Sequence, residues 1–547
     1  MKKLGCLVVL LAVLAAIGVA GLSGRSDFFP FGREKGDGSI KIIAEGQPDD
    51  AMMKDVREAT DAFNRTMEQV MGIRLQRNVK VYVGGTEADY QKILEREFNL
   101  PPEEAKTIAD ISGGWTGGKK AVTAINGKAG VMNSSSDRIS TTAHELFHQV
   151  QYELSDGNDT DEQALFWLEE GSADYVGADL AARLGGKSMQ KWILDVKAEL
   201  MGAPRTVSPQ SLQHNTLEQR KALMGKDLHS YQMSDLMTWY LLTTRAKGHE
   251  GEKLAQYFRQ LKEVKQGEAA FQNTFGISLE DFLRQFDRWW KEEQTKPAVL
   301  HIEAREGVSQ ALARSLEAET KAVQTMFQSR LGQQLHGEYQ IVLANNQDDL
   351  AEAVKTYCSI PEDKAKELAA SSLWIENGST VLLNASQIES DRQQSFTVGV
   401  MLMRVMLGQR MGQPERSVEW LMRGSGYLMG VARLGEKGLG TLPQYQRAWL
   451  DSLRKAGRLP QLAQMSTADG FRQVSQSYSD DTASVMAEYA TAELVSRRGW
   501  PSLIRWAEAV RTTGDAQKAF RQIFGQSSVD FEAELQSRVQ RQLVNAR

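Results

Sequence analysis

The chain repeats itself, and that constrains its fold more than any other feature of the sequence. Pro101-Pro102-Glu103-Glu104-Ala105-Lys106-Thr107-Ile108-Ala109 returns as Pro361-Glu362-Asp363-Lys364-Ala365-Lys366-Glu367-Leu368-Ala369. Trp167-Leu168-Glu169-Glu170-Gly171-Ser172 returns as Trp420-Leu421-Met422-Arg423-Gly424-Ser425. Ala270-Phe271, Phe275-Gly276, Ser278 and Asp281-Phe282 return as Ala519-Phe520, Phe524-Gly525, Ser527 and Asp530-Phe531. The blocks keep their order, and the spacing between partners shrinks from 260 to 253 to 249 residues, as small deletions would produce. A repeat of this kind resets the domain count before any other reading. We expect two copies of one domain, residues 40–297 and 298–547, where length alone would suggest about three to four domains.

Within the first copy, Ile40–Ile43 and Val79–Val83 have the composition of strands. Between them the apolar residues Met53, Val56, Ala59, Phe63, Met67, Val70 and Met71 recur at helical spacing, predicting a helix over 50–76. Ala121–Ile125 and Lys128–Met132 flank Asn126-Gly127, a strong hairpin signal. From Ser140 onward the pattern is helical. A small sheet followed by a helical half makes each copy α+β.

Residues 4–22 carry no charge and follow Lys2 and Lys3. This segment is expected to be a secretory signal peptide or an N-terminal membrane anchor. Either places the rest of the chain outside the cytoplasm, with 23–39 as a linker. Cys6 lies inside this segment and Cys358 alone lies beyond it, so no disulfide framework is expected. The net charge is −5, with 65 basic against 70 acidic residues, so the balance gives no sign of nucleic-acid binding.

The chemistry is concentrated in the first copy. His144-Glu145-Leu146-Phe147-His148 places two imidazoles four residues apart, on one face of a helix. Two such imidazoles can share one metal ion, with Glu145 beside them to move a proton. Further on, Trp167-Leu168-Glu169-Glu170-Gly171-Ser172-Ala173-Asp174-Tyr175 brings carboxylates on a second helix. Two His and one Glu leave the fourth position of a tetrahedral zinc site open, as catalysis requires. Asp174, one turn beyond Glu170, can accept a hydrogen bond from a ligand imidazole and so fix its tautomer.

His144-Glu145-x-x-His148 followed by Trp167-Leu168-x-Glu170-Gly171-x-Ala173-Asp174-Tyr175 resembles the gluzincin zinc metallopeptidases, the peptidase MA-like group above all. The similarity runs on through Tyr231, Tyr240-Leu241 and Phe275-Gly276-x-Ser278, and so covers most of the first copy. It implies one Zn2+ per chain held by His144, His148 and Glu170, with Glu145 as general base. Glu169 is the alternative to Glu170 as third ligand, because the two helices are joined by a slightly long connection. The resemblance also implies hydrolysis of a peptide or protein substrate, with no nucleic acid involved. No Gly-x-Met-Glu-Asn motif precedes the site, which disfavours an aminopeptidase and favours an endopeptidase. The family stabilises the oxyanion with a downstream Tyr or His, and His229 and Tyr231 are the candidates. The second strand of the Asn126-Gly127 hairpin is expected to offer an edge for an extended peptide.

Anchoring Ser136-Asp137-Arg138 on Ser390-Asp391-Arg392 with one gap sets His144 against Gly399, Glu145 against Val400 and His148 against Met403. Glu170 falls on Arg423, Asp174 on Tyr427, His229 on Gln476 and Tyr231 on Tyr478. No ligand survives, and the second copy is expected to be catalytically dead. It then recognises substrate, binds a partner protein or braces the first copy. The competing functional reading for the whole chain is a zinc-bound but inactive pseudopeptidase, acting as a binding or scaffolding protein.

Overall fold

The computed structural model describes residues 36–547 apart from 129–131, 159–163, 204, 214–228, 359, 413–417, 457, 479 and 546–547. The expected signal or anchor, residues 1–22, and nearly all of the linker lie outside the described residues. Among those described, no helix is long and apolar enough to cross a membrane. Apart from two short segments, the chain divides into two compact units between Trp290 and Lys291, inside the Leu279–Thr295 helix.

In the first unit, β1 (Ile40–Glu45) runs parallel to β2 (Val79–Gly84). Between them lies α1 (Asp50–Met71). Asp49 caps α1 by accepting from the Met52 amide, and Met52, Val56, Ala59, Phe63 and Met67 bury one stripe. The helix ends before the expected residue 76, because Gly72 turns left-handed at φ 65°. After α2 (Glu87–Phe98) and α3 (Pro102–Ile111) come β3 (Gly114–Gly117) and β4 (Val122–Asn126). The sheet order is β1-β2-β4-β3, with β3 antiparallel at the edge.

The expected hairpin therefore has a different location. β4 already has β2 on one side and β3 on the other, so it has no free edge for the expected partner at 128–132, of which 129–131 lie outside the described residues. The turn falls at Gly118–Ala121, and Asn126 ends the strand by donating its side-chain amide to the Ala109 and Ser112 carbonyls. The Asn-Gly pair is a strand stop, and the edge strand precedes it.

Tyr82, Tyr90, Ile93, Leu94 and Ala105 pack one face of the sheet against α2 and α3. The helix α4 (Ser135–Ser155), capped by the Ser134 hydroxyl, packs against α1 and touches β3. Next comes α5 (Phe166–Arg183), which carries two glycines on different faces. A Cβ at Gly177 would stand 2.5 Å from the Ser140 carbonyl oxygen of α4. A Cβ at Gly171 would stand 2.4 Å from the Ser234 carbonyl oxygen of the Ser230–Arg245 helix. These two positions let three helices approach closely, and this assembles the site. Trp167 anchors α5 from below, stacked on Phe282 at 5.3 Å. Trp289 stacks on Tyr240 and Trp290 is buried, so this pair packs on its own unit.

The second unit repeats the plan. β5 (Val299–Ala304), β6 (Glu338–Ala344), β7 (Trp374–Asn377) and β8 (Thr380–Asn384) form a sheet ordered β5-β6-β8-β7, with β7 antiparallel to β8. The Asp391–Met411 helix follows, capped by Ser390 and of the same 21 residues as α4. Trp420 stacks on Phe531 as Trp167 does on Phe282, both pairs at 12°. The molecule is α+β in two units of like topology.

Packing also corrects the register between them. Gly430 approaches the Phe396 carbonyl as Gly177 approaches that of Ser140, and the caps Ser390 and Ser134 correspond. His144 therefore corresponds to Val400, Glu145 to Met401 and His148 to Arg404, one residue later than the sequence anchor places them. Gly424 meets Thr491 and Ala487 as Gly171 meets Thr238 and Ser234. Glu170 thus corresponds to Arg423, as expected. His229 corresponds to Thr482 and Tyr231 to Ser484, not to Gln476 and Tyr478.

Candidate metal centre

Helix α4 delivers His144, Glu145 and His148, and α5 delivers Glu170 and Asp174. The His144 and His148 Nε2 atoms lie 3.0 Å apart, and the Glu170 Oε2 lies 3.6 Å from the first and 3.7 Å from the second. A tetrahedral ion bound at ~2.0–2.1 Å spaces its donors about 3.3 Å apart, so this triangle fits one. It is Glu170, not Glu169, that joins the imidazoles.

The outer contacts decide which ring nitrogens carry lone pairs. His144 Nδ1 is 2.7 Å from Asp174 Oδ1, a carboxylate that can only accept when ionised. His148 Nδ1 is 2.6 Å from Gln151 Oε1. The Gln151 amide is oriented by its other end, which donates to the Glu169 carbonyl at 2.8 Å and to the Ser172 hydroxyl at 3.0 Å. Both Nδ1 atoms are therefore donors, so it is Nε2 of each ring that faces the Glu170 carboxylate and that would hold a metal once its proton is displaced.

Electrostatics agree with a site built for a cation. Burial works against charge on His144, yet Asp174, Glu145 and Glu170 outweigh it and hold the imidazolium up to about 10. Desolvation opposes the Asp174 charge, and His144 together with a hydrogen bond accepted from Asp235 still holds that carboxyl below its usual range. Burial pushes Glu145 up, against the pull of both imidazoles.

Glu145 is held from the sheet side. The Thr116 hydroxyl on β3 lies 2.6 Å from Glu145 Oε2. A Cβ at Gly114 would stand 2.5 Å from Glu145 Cγ, so the glycine is what leaves room for the carboxylate. Trp115, between them on the strand, packs on the opposite face.

The remaining candidates start the Ser230–Arg245 helix. His229 precedes its first turn in a left-handed backbone conformation, φ 53°, uncommon outside glycine. Tyr231 sets its ring edge-on to Phe166 at the start of α5, 6.2 Å between centroids. The same helix supplies Asp235 behind Asp174.

Sequence reasoning missed Thr116, Gln151 and Asp235. Gln151 had a signal, since three residues after His148 it shares the ligand face of α4. Asp235 had one too, a lone acid within Met233-Ser234-Asp235-Leu236-Met237. Thr116 had none once the hairpin was placed downstream.

In the second unit the equivalent positions hold Val400, Met401, Arg404, Leu407, Arg423 and Tyr427. Arg423 bonds Glu419 at 2.6 Å, and the Arg404 guanidinium lies over Trp374, the residue at the Gly114 position. An ion-paired, aromatic-filled cluster stands where the first unit has its imidazoles. No protein-family model matches the chain, and no curated protein matches it.

Proposed function

We propose that the first unit is a zinc-dependent peptidase of the gluzincin kind, acting outside the cytoplasm on peptide or protein substrates. What carries this reading is the convergence of two tautomer-fixed Nε2 atoms and one carboxylate at metal spacing, with Glu145 on the adjoining helix position. Three protein donors leave a fourth position for water or substrate. When bound, zinc supplies a Lewis acid that polarises the scissile carbonyl and acidifies water.

The chain's own residues do the rest. Glu145, raised by burial, takes the proton from the attacking water and passes it to the leaving amine. Thr116 and the space at Gly114 hold that carboxylate in place. The edge strand β3 offers backbone groups beside Glu145, to which an extended peptide can add as a further strand. His229 or Tyr231 supplies a second donor to the oxyanion. Their counterparts Thr482 and Ser484 lack both ring types, so the dead copy raises no objection to either. The second unit binds substrate or a partner protein, or braces the first.

The test is cleavage of a peptide library by the purified chain beside Glu145→Gln and His148→Ala, with metal content assayed in each. The expected outcome is one zinc and cleavage in the wild type, one zinc without cleavage in Glu145→Gln, and lost zinc in His148→Ala. One zinc in the wild type and in Glu145→Gln with no cleavage by either would favour the pseudopeptidase reading.

A further inference from the structure

We propose that Gln151 is a positioning residue that fixes His148 as a metal ligand and ties it to the turn of α5 that carries Glu170; the proposal rests on the metal-site reading above. The side chain is fully buried. Its oxygen accepts from His148 Nδ1 at 2.6 Å, and its nitrogen donates to the Glu169 carbonyl at 2.8 Å and the Ser172 hydroxyl at 3.0 Å. A primary amide is the side chain this place requires, because it accepts at one end and donates at the other. An ionised carboxylate would orient the imidazole and lose the bonds to α5. A leucine would fill the space and do neither.

The second unit contains that substitution. Leu407 stands at the Gln151 position, on a helix of the same length with the same kind of cap. There the ligand positions hold Val400, Arg404 and Arg423, so no imidazole needs orienting and no third ligand needs placing. The fold keeps its helix pair without the amide. The amide is thus dispensable for packing and is present where there is an imidazole to orient. The two ligand histidines are also held unequally, His144 by a carboxylate and His148 by a neutral amide. Gln151 therefore sets the direction of the His148 lone pair without adding charge to the site.

The experiment compares the full chain with Gln151→Leu and Gln151→Glu. Zinc affinity is measured by competition with a chromogenic chelator, and the His148 ring nitrogens are followed by 15N–1H spectra with and without zinc. Wild type should show His148 as the Nδ1–H tautomer in both states. Gln151→Leu should bind zinc about 10–100-fold more weakly and lose that single tautomer in the metal-free state. Gln151→Glu should restore the tautomer and recover part of the affinity. Unfolding followed in chelator should show that the leucine variant is folded, as Leu407 predicts. Equal zinc affinity and an unchanged tautomer in Gln151→Leu would overturn the role of Gln151 alone. A wild type that takes up no zinc would overturn the metal reading, and the role of Gln151 toward metal with it.

Discussion

At the scale of single residues, the site depends on neighbours that are not ligands. Glu145 is reached from β3 by one hydroxyl and by one missing side chain, so two substitutions there should act on catalysis without touching the metal. Gly114→Ala places a methyl against the Glu145 side chain, and Thr116→Val removes the hydroxyl 2.6 Å from its carboxylate. Both should lower kcat by about 10-fold or more, since general acid–base catalysis is worth about 10²–10⁴-fold and depends on geometry. Zinc content should be unchanged, and loss of zinc in either would show that β3 shapes the ligands rather than the base. The oxyanion donor is open to a similar comparison. Whichever of His229→Ala and Tyr231→Phe removes it should lower kcat by about 10²–10³-fold with KM nearly constant, and the other should stay near wild type. The pairing of His144 with His148 was legible in the sequence, because a four-residue spacing on a helix puts both rings on one face, and Glu170 joins them as a group that could hold a metal ion. The residues that aim them were less so, because an amide or a threonine has no distinctive spacing until its partner is placed.

At the scale of elements, the register between halves was legible to within one residue on α4, was right at α5 and at the Phe282 and Phe531 block, and was lost only at the Ser230–Arg245 helix between them. The Trp167 and Trp420 blocks align without ambiguity because each tryptophan stacks on the same downstream phenylalanine. Tyr478 attracted Tyr231 by residue type alone, whereas the glycine contacts at Gly171 and Gly424 show that Ser484 holds that place. The Asn126-Gly127 turn misled because an asparagine that caps a strand end uses the same side-chain chemistry as one in a turn. Helix contacts through glycine also make a prediction. Gly177→Ala forces a Cβ against the Ser140 carbonyl, and Gly430→Ala does the same at Phe396. Each should destabilise its own unit by about 1–3 kcal/mol, as overpacking does. Only Gly177→Ala should also weaken zinc binding, because only α4 and α5 carry ligands. Equal zinc affinity in both variants would mean that the ligand geometry does not depend on the close approach of these helices.

At the scale of the whole molecule, duplication has produced two units of one topology with opposite electrostatic problems at their centres. The first gathers imidazoles and carboxylates that a cation would satisfy. The second has replaced them with ion pairs and aromatic rings, and behind these it keeps one acid it does not neutralise. Glu488 stands at the Asp235 position, buried, beside Tyr427 in place of Asp174. Burial pushes its carboxyl up to about 8 from an ordinary 4.5, helped by Asp481 and opposed by a hydrogen bond from Trp449. The folded unit therefore keeps a proton that the unfolded chain releases above pH 4.5. Where the folded state binds the extra proton, stability falls as pH rises. The contribution is fully present below pH 4.5 and is lost as pH rises to about 8, at a limiting slope of about 1.4 kcal/mol per pH unit. Glu488→Gln keeps the shape and removes the proton, so it should flatten that slope and leave the variant more stable than wild type near pH 8. Calorimetric unfolding of the full chain from pH 5 to pH 8.5, with the same buffers for both proteins, measures it. Parallel pH profiles would show that Glu488 ionises in the folded unit without penalty, through contacts its burial does not reveal.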